Sequence, residues 1–178
     1  FTPEDETMLS ALADYAAVAI ENANLYQQAQ YEISERKRVE QALRESEERY
    51  VLAIQGANDG IWDWNLKSNQ IHFSPRWKSM LGYEEHEISN YLDEWSKRVH
   101  PDDLEATIQD IQNHLARNTD YYINEHRVQC KDGSYKWILD RGKALWDEAG
   151  NPLRMVGSHT DITDHKEAEA KEHQLKIA

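Results

Sequence analysis

The chain has 178 residues and a net charge of −13, from 20 Lys or Arg against 33 Asp or Glu. Binding to phosphates or to an anionic membrane surface needs clustered Lys and Arg, so this balance argues against a nucleic-acid partner and against a basic interfacial helix. Six Trp and nine Tyr require a packed core, and a single Cys excludes an intrachain disulfide and a Cys-built zinc site.

The first residues, Phe1-Thr2-Pro3-Glu4-Asp5-Glu6, are acidic, unlike a secretory signal, and the apolar run Tyr15 to Ile20 is far short of the ~20 residues that span a bilayer. A cytoplasmic location is expected, with no membrane contact. The chain lacks an initiator Met and stops at Ala178 inside a helical pattern, which reads as a piece of a longer polypeptide.

From Glu4 to Gln55 there is neither Gly nor Pro. Pro3 followed by three acidic residues marks a helix start, because carboxylates suit the positive end of the macrodipole. Leu12, Ala16, Ala19, Ala23, Tyr26 and Ile33 follow 4-3 spacing, with Gln30 in register, as an a/d seam does. A second seam runs through Val39, Leu43, Ser46 and Tyr50, out of phase with the first, so a heptad discontinuity is expected between Ile33 and Val39. A continuous helix would have about 45 residues and extend ~68 Å. Such a rod has no core of its own, and the expected partner is the same helix of a second chain, in a parallel homodimer. The alternative is a helix packed on its own domain.

Beyond Gly56 the pattern changes to strands and turns. Ile61-Trp62-Asp63-Trp64 and Gln70-Ile71-His72-Phe73, separated by Lys67-Ser68-Asn69, predict a hairpin. Ser74-Pro75 predicts a capped short helix with Trp77, Met80 and Leu81 on its apolar face, ended by Gly82. His100-Pro101-Asp102-Asp103 opens another helix, with an expected apolar face of Leu104, Ile108, Ile111 and Leu115. Three strands follow: Tyr121 to Cys130, Ser134 to Trp146 across the turn Lys131-Asp132-Gly133, and Leu153 to Thr163. Asp164 to Ala178 predicts an exit helix. The fold class is α+β: a five-stranded antiparallel sheet with helices over one face, preceded by the long helix.

These residues resemble a PAS domain of the bacterial sensor type, with its following C-terminal motif. The resemblance covers Ser46 to about Thr163. It rests on Ser46-Glu47-Glu48-Arg49-Tyr50, Gly60-Ile61-Trp62-Asp63-Trp64, Ser74-Pro75-Arg76-Trp77 to Leu81-Gly82-Tyr83, and Val99-His100-Pro101-Asp102-Asp103. Further along come Glu125-His126-Arg127-Val128, Lys131-Asp132-Gly133-Ser134-Tyr135-Lys136-Trp137, and Gly157-Ser158-His159-Thr160-Asp161-Ile162-Thr163. Residues 1–30 are similar to the closing helix of a GAF domain, through Leu12 to Ala23, and 31–45 read as a helical linker. Lys166 to Ala178, within the exit segment 164–178, resembles the helix entering a diguanylate cyclase domain, with a histidine kinase as the competing output.

The element order leaves a concave space between sheet and helices, either filled with side chains or holding a small ligand; if it is a pocket, Trp62, Trp77, Leu81, His126 and Val128 are its candidate lining. The resemblance implies signal transfer through Asp161, Ile162 and Thr163. Asp161 is expected to hydrogen-bond across the hairpins and the Thr163 hydroxyl to cap the exit helix.

No cofactor is expected. Cys130 lies at a strand end rather than in the helical Asn-Cys-Arg context of flavin-adduct relatives. His114, the one haem candidate, is expected off the apolar stripe among polar neighbours. His100, Asp102 and Asp103 read as a helix N-terminus rather than a metal site. No nucleophile elbow or phosphate loop is present, so the chain itself is not expected to be an enzyme. The expected function is a sensory or relay module that passes a conformational signal along its helices. The rival is a passive dimerisation spacer with a filled core.

Overall fold

The computed structural model describes residues 2–177. They form two compact units, one reaching Ala53 and one starting at Ile54.

Helix α1 (Pro3–Ala57) supplies the first unit up to Ala53, and its last turn belongs to the second. Its start is set reciprocally: the Asp5 carboxylate accepts the Thr2 N–H at 2.8 Å, and the Thr2 hydroxyl accepts the Asp5 N–H at 3.3 Å. The helix is ten residues longer than the estimate of about 45, and it passes through the expected phase shift between Ile33 and Val39 without a backbone break. It also runs through Gly56 and stops where Asn58 adopts φ 56°. None of its residues is buried, and the seam residues Leu12, Ala16, Ala19, Ala23, Tyr26, Ile33, Val39 and Leu43 are all exposed.

The second unit is a five-stranded antiparallel sheet in the order β2-β1-β5-β4-β3. The strands are β1 (Gly60–Asn65), β2 (Gln70–Phe73), β3 (Tyr122–Gln129), β4 (Tyr135–Trp146) and β5 (Pro152–Asp161). Helices α2 (Pro75–Met80), α3 (Asp93–Ser96) and α4 (Pro101–Leu115) fall between the two hairpin groups, and α5 (Thr163–Ile177) leaves after β5. The hairpin turns use Asn69, Gly133 and Gly150 at positive φ. Ser74 caps α2 by accepting the Trp77 N–H at 3.2 Å, with Pro75 at the first helical position.

The buried face of α4 differs from the expected stripe. Thr107 and His114 are fully buried, with Leu104 and Ile111 beside them, whereas Ile108 is 39% exposed. The face is therefore 104-107-111-114. The two polar members are tolerated because both are hydrogen-bonded: Thr107 donates to the Asp103 carbonyl at 2.8 Å, and His114 Nε2 accepts the Ala144 N–H of β4 at 3.0 Å.

The helix start at His100-Pro101 holds as a cap, with His100 Nδ1 accepting the Asp102 N–H. Asp103 then reaches β3. It accepts two hydrogen bonds from the Arg127 guanidinium, at 2.8 and 2.6 Å, and the Arg127 backbone N–H at 2.9 Å. This guanidinium holds the Asp103 carboxyl down at about 2.

Two glycines shape the sheet floor. Gly142 and Gly157 pair across β4 and β5, and Gly157 also faces Trp62 of β1. The Trp62 indole lies over the glycine pair. A Cβ at Gly157 would sit 2.3 Å from the ring and 2.2 Å from the Arg141 carbonyl oxygen, and one at Gly142 would sit 2.7 Å from the ring.

Gly157→Ala is expected to destabilise the fold by roughly 2–3 kcal/mol in chemical denaturation, through overpacking against backbone and indole. Gly56→Ala, with nothing within 4 Å of the new methyl, is expected to stabilise α1 by about 1 kcal/mol. The Asp103 carboxyl has a folded pKa below its unfolded value, so its contribution is present above about pH 4 and fades as pH falls toward 2. Asp103→Asn should remove that part of the acid dependence, roughly 1 kcal/mol after solvent screening, in a pH series of denaturation midpoints.

Candidate functional site

Side chains alternate faces along a strand, so Tyr122, Asn124, His126 and Val128 of β3 point inward together. Asp140 of β4 and His159 of β5 share a rung of the ladder, with Trp62 of β1 nearby. Asp140 is 3% exposed, and His126 and His159 are at most 1% exposed.

The buried polar groups form one connected hub. Asp140 Oδ1 accepts the Trp62 indole N–H at 2.8 Å, and Asp140 Oδ2 accepts the Tyr122 hydroxyl at 3.2 Å. His159 Nε2 stands 3.0 Å from Asp140 Oδ2. The other ring nitrogen, His159 Nδ1, accepts the Trp77 indole N–H at 2.9 Å. An indole nitrogen only donates, so the His159 hydrogen must sit on Nε2 and point at Asp140. His159 is therefore a neutral imidazole locked in one tautomer.

His126 repeats the pattern. Its Nε2 accepts the Trp95 indole N–H at 3.3 Å, so Nδ1 carries the hydrogen and donates to Asn124 Oδ1 at 3.0 Å. Asn124 in turn donates to Asp110 of α4 at 2.6 Å, and its Oδ1 lies 3.2 Å from the Thr107 hydroxyl, whose hydrogen goes to the Asp103 carbonyl. Burial lowers the His126 pKa to about 4, which keeps it neutral, and burial together with Asp140 pushes the Tyr122 phenol far up. Each imidazole thus ties one helix to the sheet: His159 holds α2 through Trp77, and His126 holds α3 through Trp95.

A cavity of about 20 Å³ adjoins the hub. Its lining is almost wholly apolar and includes Trp62, Trp64, Phe73, Trp95 and Tyr122, with Asp140 and His159 bordering it. That is room for about one water molecule, and too little for a haem or flavin.

His126, Asp140 and His159 also bring three possible ligand atoms within 4.8 Å of one another. They do not suit a metal. A metal on His159 Nε2 would move the hydrogen to Nδ1, where it would face the Trp77 N–H, and His126 Nε2 already receives the Trp95 N–H. The donor set favours a hydrogen-bond hub.

Of the expected pocket residues, Trp62 lines the cavity. Trp77 is buried behind it, stacked on Phe73 with ring centroids 4.0 Å apart. His126 is in the hub, and Leu81 and Val128 are core residues. Asp140, His159, Tyr122, Asn124 and Trp95 were not anticipated as site residues. A signal for two of them lay in the strand period: Asp140 and His159 occupy inward positions in Ile138-x-Asp140-x-Gly142 and Met155-x-Gly157-x-His159.

His114, expected among exposed polar neighbours, is fully buried. Its Nδ1 meets Thr119 at 3.1 Å and its Nε2 meets Ala144, so both nitrogens are taken and neither is free to bind haem iron. Cys130 is buried, which raises its thiol pKa and keeps it unreactive.

The exit segment sits two rungs beyond the hub, where Ile138 pairs with Asp161. Asp161 Oδ1 accepts both the N–H and the hydroxyl of Thr163, at 3.1 and 2.6 Å, and Asp161 Oδ2 meets Lys136 at 2.8 Å. The Thr163 hydroxyl also accepts the Trp137 N–H of β4 at 3.1 Å. Thr163 is therefore the first helical residue, and its hydroxyl docks the helix start onto β4. Asp161 supplies the cap expected of Thr163.

Comparison with known proteins agrees with this architecture. The PAS-fold family profile matches residues 70–159. The structure of a sensory box histidine kinase/response regulator from Burkholderia thailandensis is 38% identical, with a TM-score of 0.63, covering 73% of this chain and 99% of that one. "Probable diguanylate cyclase DgcE" of Escherichia coli is 30% identical over 80% of the chain and 13% of its own length. "Hybrid signal transduction histidine kinase A" of Dictyostelium discoideum is 24% identical over 76% of the chain and 11% of its length. The chain thus spans between about a tenth and a quarter of such curated relatives. It belongs to the PAS-fold family.

Proposed function

We propose that this chain is a sensory relay module of a larger cytoplasmic signalling protein, in which the state of the buried hub sets how firmly the exit helix is docked. The observation that carries this reading is the shared β4/β5 ladder: Asp140 pairs with His159, and two residues along, Ile138 pairs with Asp161, whose carboxylate holds the start of α5. A displacement of either strand at the hub moves the cap directly. The coupling needed is of ordinary size, since a helix cap is worth about 0.5–2 kcal/mol and allosteric couplings about 1–3 kcal/mol.

The wider assembly follows from the exposed apolar row of α1. Leu12, Ala16, Ala19, Ala23, Tyr26, Ile33, Val39 and Leu43 pair two protomers in parallel, and the GAF-like segment brings an upstream signal in. The output domain is a diguanylate cyclase as first choice and a histidine kinase as second, the kinds of protein that its relatives are named as. The chain senses and does not catalyse. One observation favours a second reading, a passive spacer: the cavity holds little more than one water.

Asp161→Ala should shift basal output of the parent protein at least severalfold while the domain stays folded by circular dichroism. Unchanged output would leave the spacer. Deleting three or four residues near Arg36 should change output without changing the domain's melting temperature, because it shortens the helix by about one turn, ~5 Å, and offsets the seam by roughly 40–60°. Constant output across deletions of one to seven residues would remove the helical mechanism.

A further inference from the structure

Helix α5 is held differently from the other helices beside the sheet. Trp77 and Met80 of α2, Trp95 of α3, and Thr107 and His114 of α4 are all buried. Among the described side chains of α5, only Thr163 and Lys166 are even half-buried, and Leu175 is 79% exposed. The joint between α5 and the sheet is therefore polar. At its start, the Asp161 carboxylate meets Lys136 Nζ of β4 at 2.8 Å while it caps Thr163. One turn on, Lys166 Nζ meets Glu125 Oε2 of β3 at 2.5 Å and stands 5.4 Å from the centre of the Trp137 ring. These four charged side chains each leave between 27% and 44% of their surface in solvent, so dissolved ions reach both pairs. The screening length falls from about 10 Å at 0.1 M salt to about 3 Å at 1 M, and partly exposed pairs weaken with it. The Asp140 hub is buried, out of reach of such ions. Salt also relieves the self-repulsion of a chain carrying −13, so it should firm the domain as a whole while it loosens α5.

We infer that the α5 joint senses ionic strength: rising salt weakens the Lys166–Glu125 and Lys136–Asp161 pairs and releases the exit helix while the hub stays intact. The relay thereby has an input that acts at the joint itself and needs no ligand in the core. The inference rests on the relay reading for its effect on output, while the state of the joint is measured on this chain alone.

The test is amide hydrogen exchange of the purified 178-residue chain in about 50 and about 500 mM potassium chloride, with sucrose at equal osmolality as the uncharged comparison. The Ala144 amide, bonded to His114 in the core, is the internal reference. Relative to it, the Trp137 and Thr163 amides that dock α5 should exchange roughly threefold faster at high salt and not in sucrose, the size expected for two partly exposed pairs. Lys166→Met removes the cation at nearly unchanged helix propensity. In that variant both amides should be fast already at low salt, with the salt response cut by about half or more. Glu125→Gln should do the same from the β3 side. Lys171→Met, which removes an exposed charge from the same helix, should change neither. Amides that salt leaves unchanged, an equal response to sucrose, or a full salt response in both Lys166→Met and Glu125→Gln would overturn the inference. A salt-dependent joint combined with unchanged parent output in Asp161→Ala would leave the joint standing and remove the relay reading.

Discussion

A carboxylate removed from water among aromatic rings is the constraint around which the rest of this domain is arranged. An ionised group cannot be buried without compensating donors, and losing one partner of such a group costs several kcal/mol. Asp140 meets that requirement with side chains from three other strands: Trp62 of β1, Tyr122 of β3 and His159 of β5. The central strands therefore have one register in which all donors reach. The Gly142–Gly157 pair is a consequence, because the Trp62 ring that donates to Asp140 needs the space their missing side chains leave.

The two histidines extend this constraint to the helices. In each, one nitrogen accepts an indole N–H and the other donates to an oxygen, so protonation or a change of tautomer would break a buried hydrogen bond. Trp77 on α2 and Trp95 on α3 are the donors, and Asn124 carries the second chain on to Asp110 of α4. Such a network has few ways to move a little. It is either satisfied or broken, which suits an element with two discrete states better than one that deforms smoothly.

Much of the fold was legible in the sequence because its signals are local. Ser74-Pro75, Lys131-Asp132-Gly133 and the period-two strands fixed the elements to within one or two residues. The hub was harder to read because its partners are far apart in the chain: Trp62 and Asp140 are separated by 78 residues, and Trp77 and His159 by 82. The same limit explains α4. An apolar stripe suggested Ile108, but hydrogen bonds to the Asp103 carbonyl and the Ala144 N–H let Thr107 and His114 take the buried positions. At the exit helix Asp161 does reach across the hairpin to Lys136, but it also supplies the cap expected of Thr163, whose hydroxyl is taken by the Trp137 N–H of β4.

The most direct test of the link from hub to exit helix is amide hydrogen exchange in Trp77→Phe compared with the unaltered chain. That substitution removes the indole N–H that locks His159 and leaves an aromatic ring in place. The account predicts faster exchange, by about tenfold, at the Trp137 and Thr163 amides that dock α5, beyond any uniform change across the sheet; tenfold corresponds to about 1.4 kcal/mol of local opening. Unchanged exchange at those two amides, with the hub demonstrably altered in tryptophan emission, would contradict it.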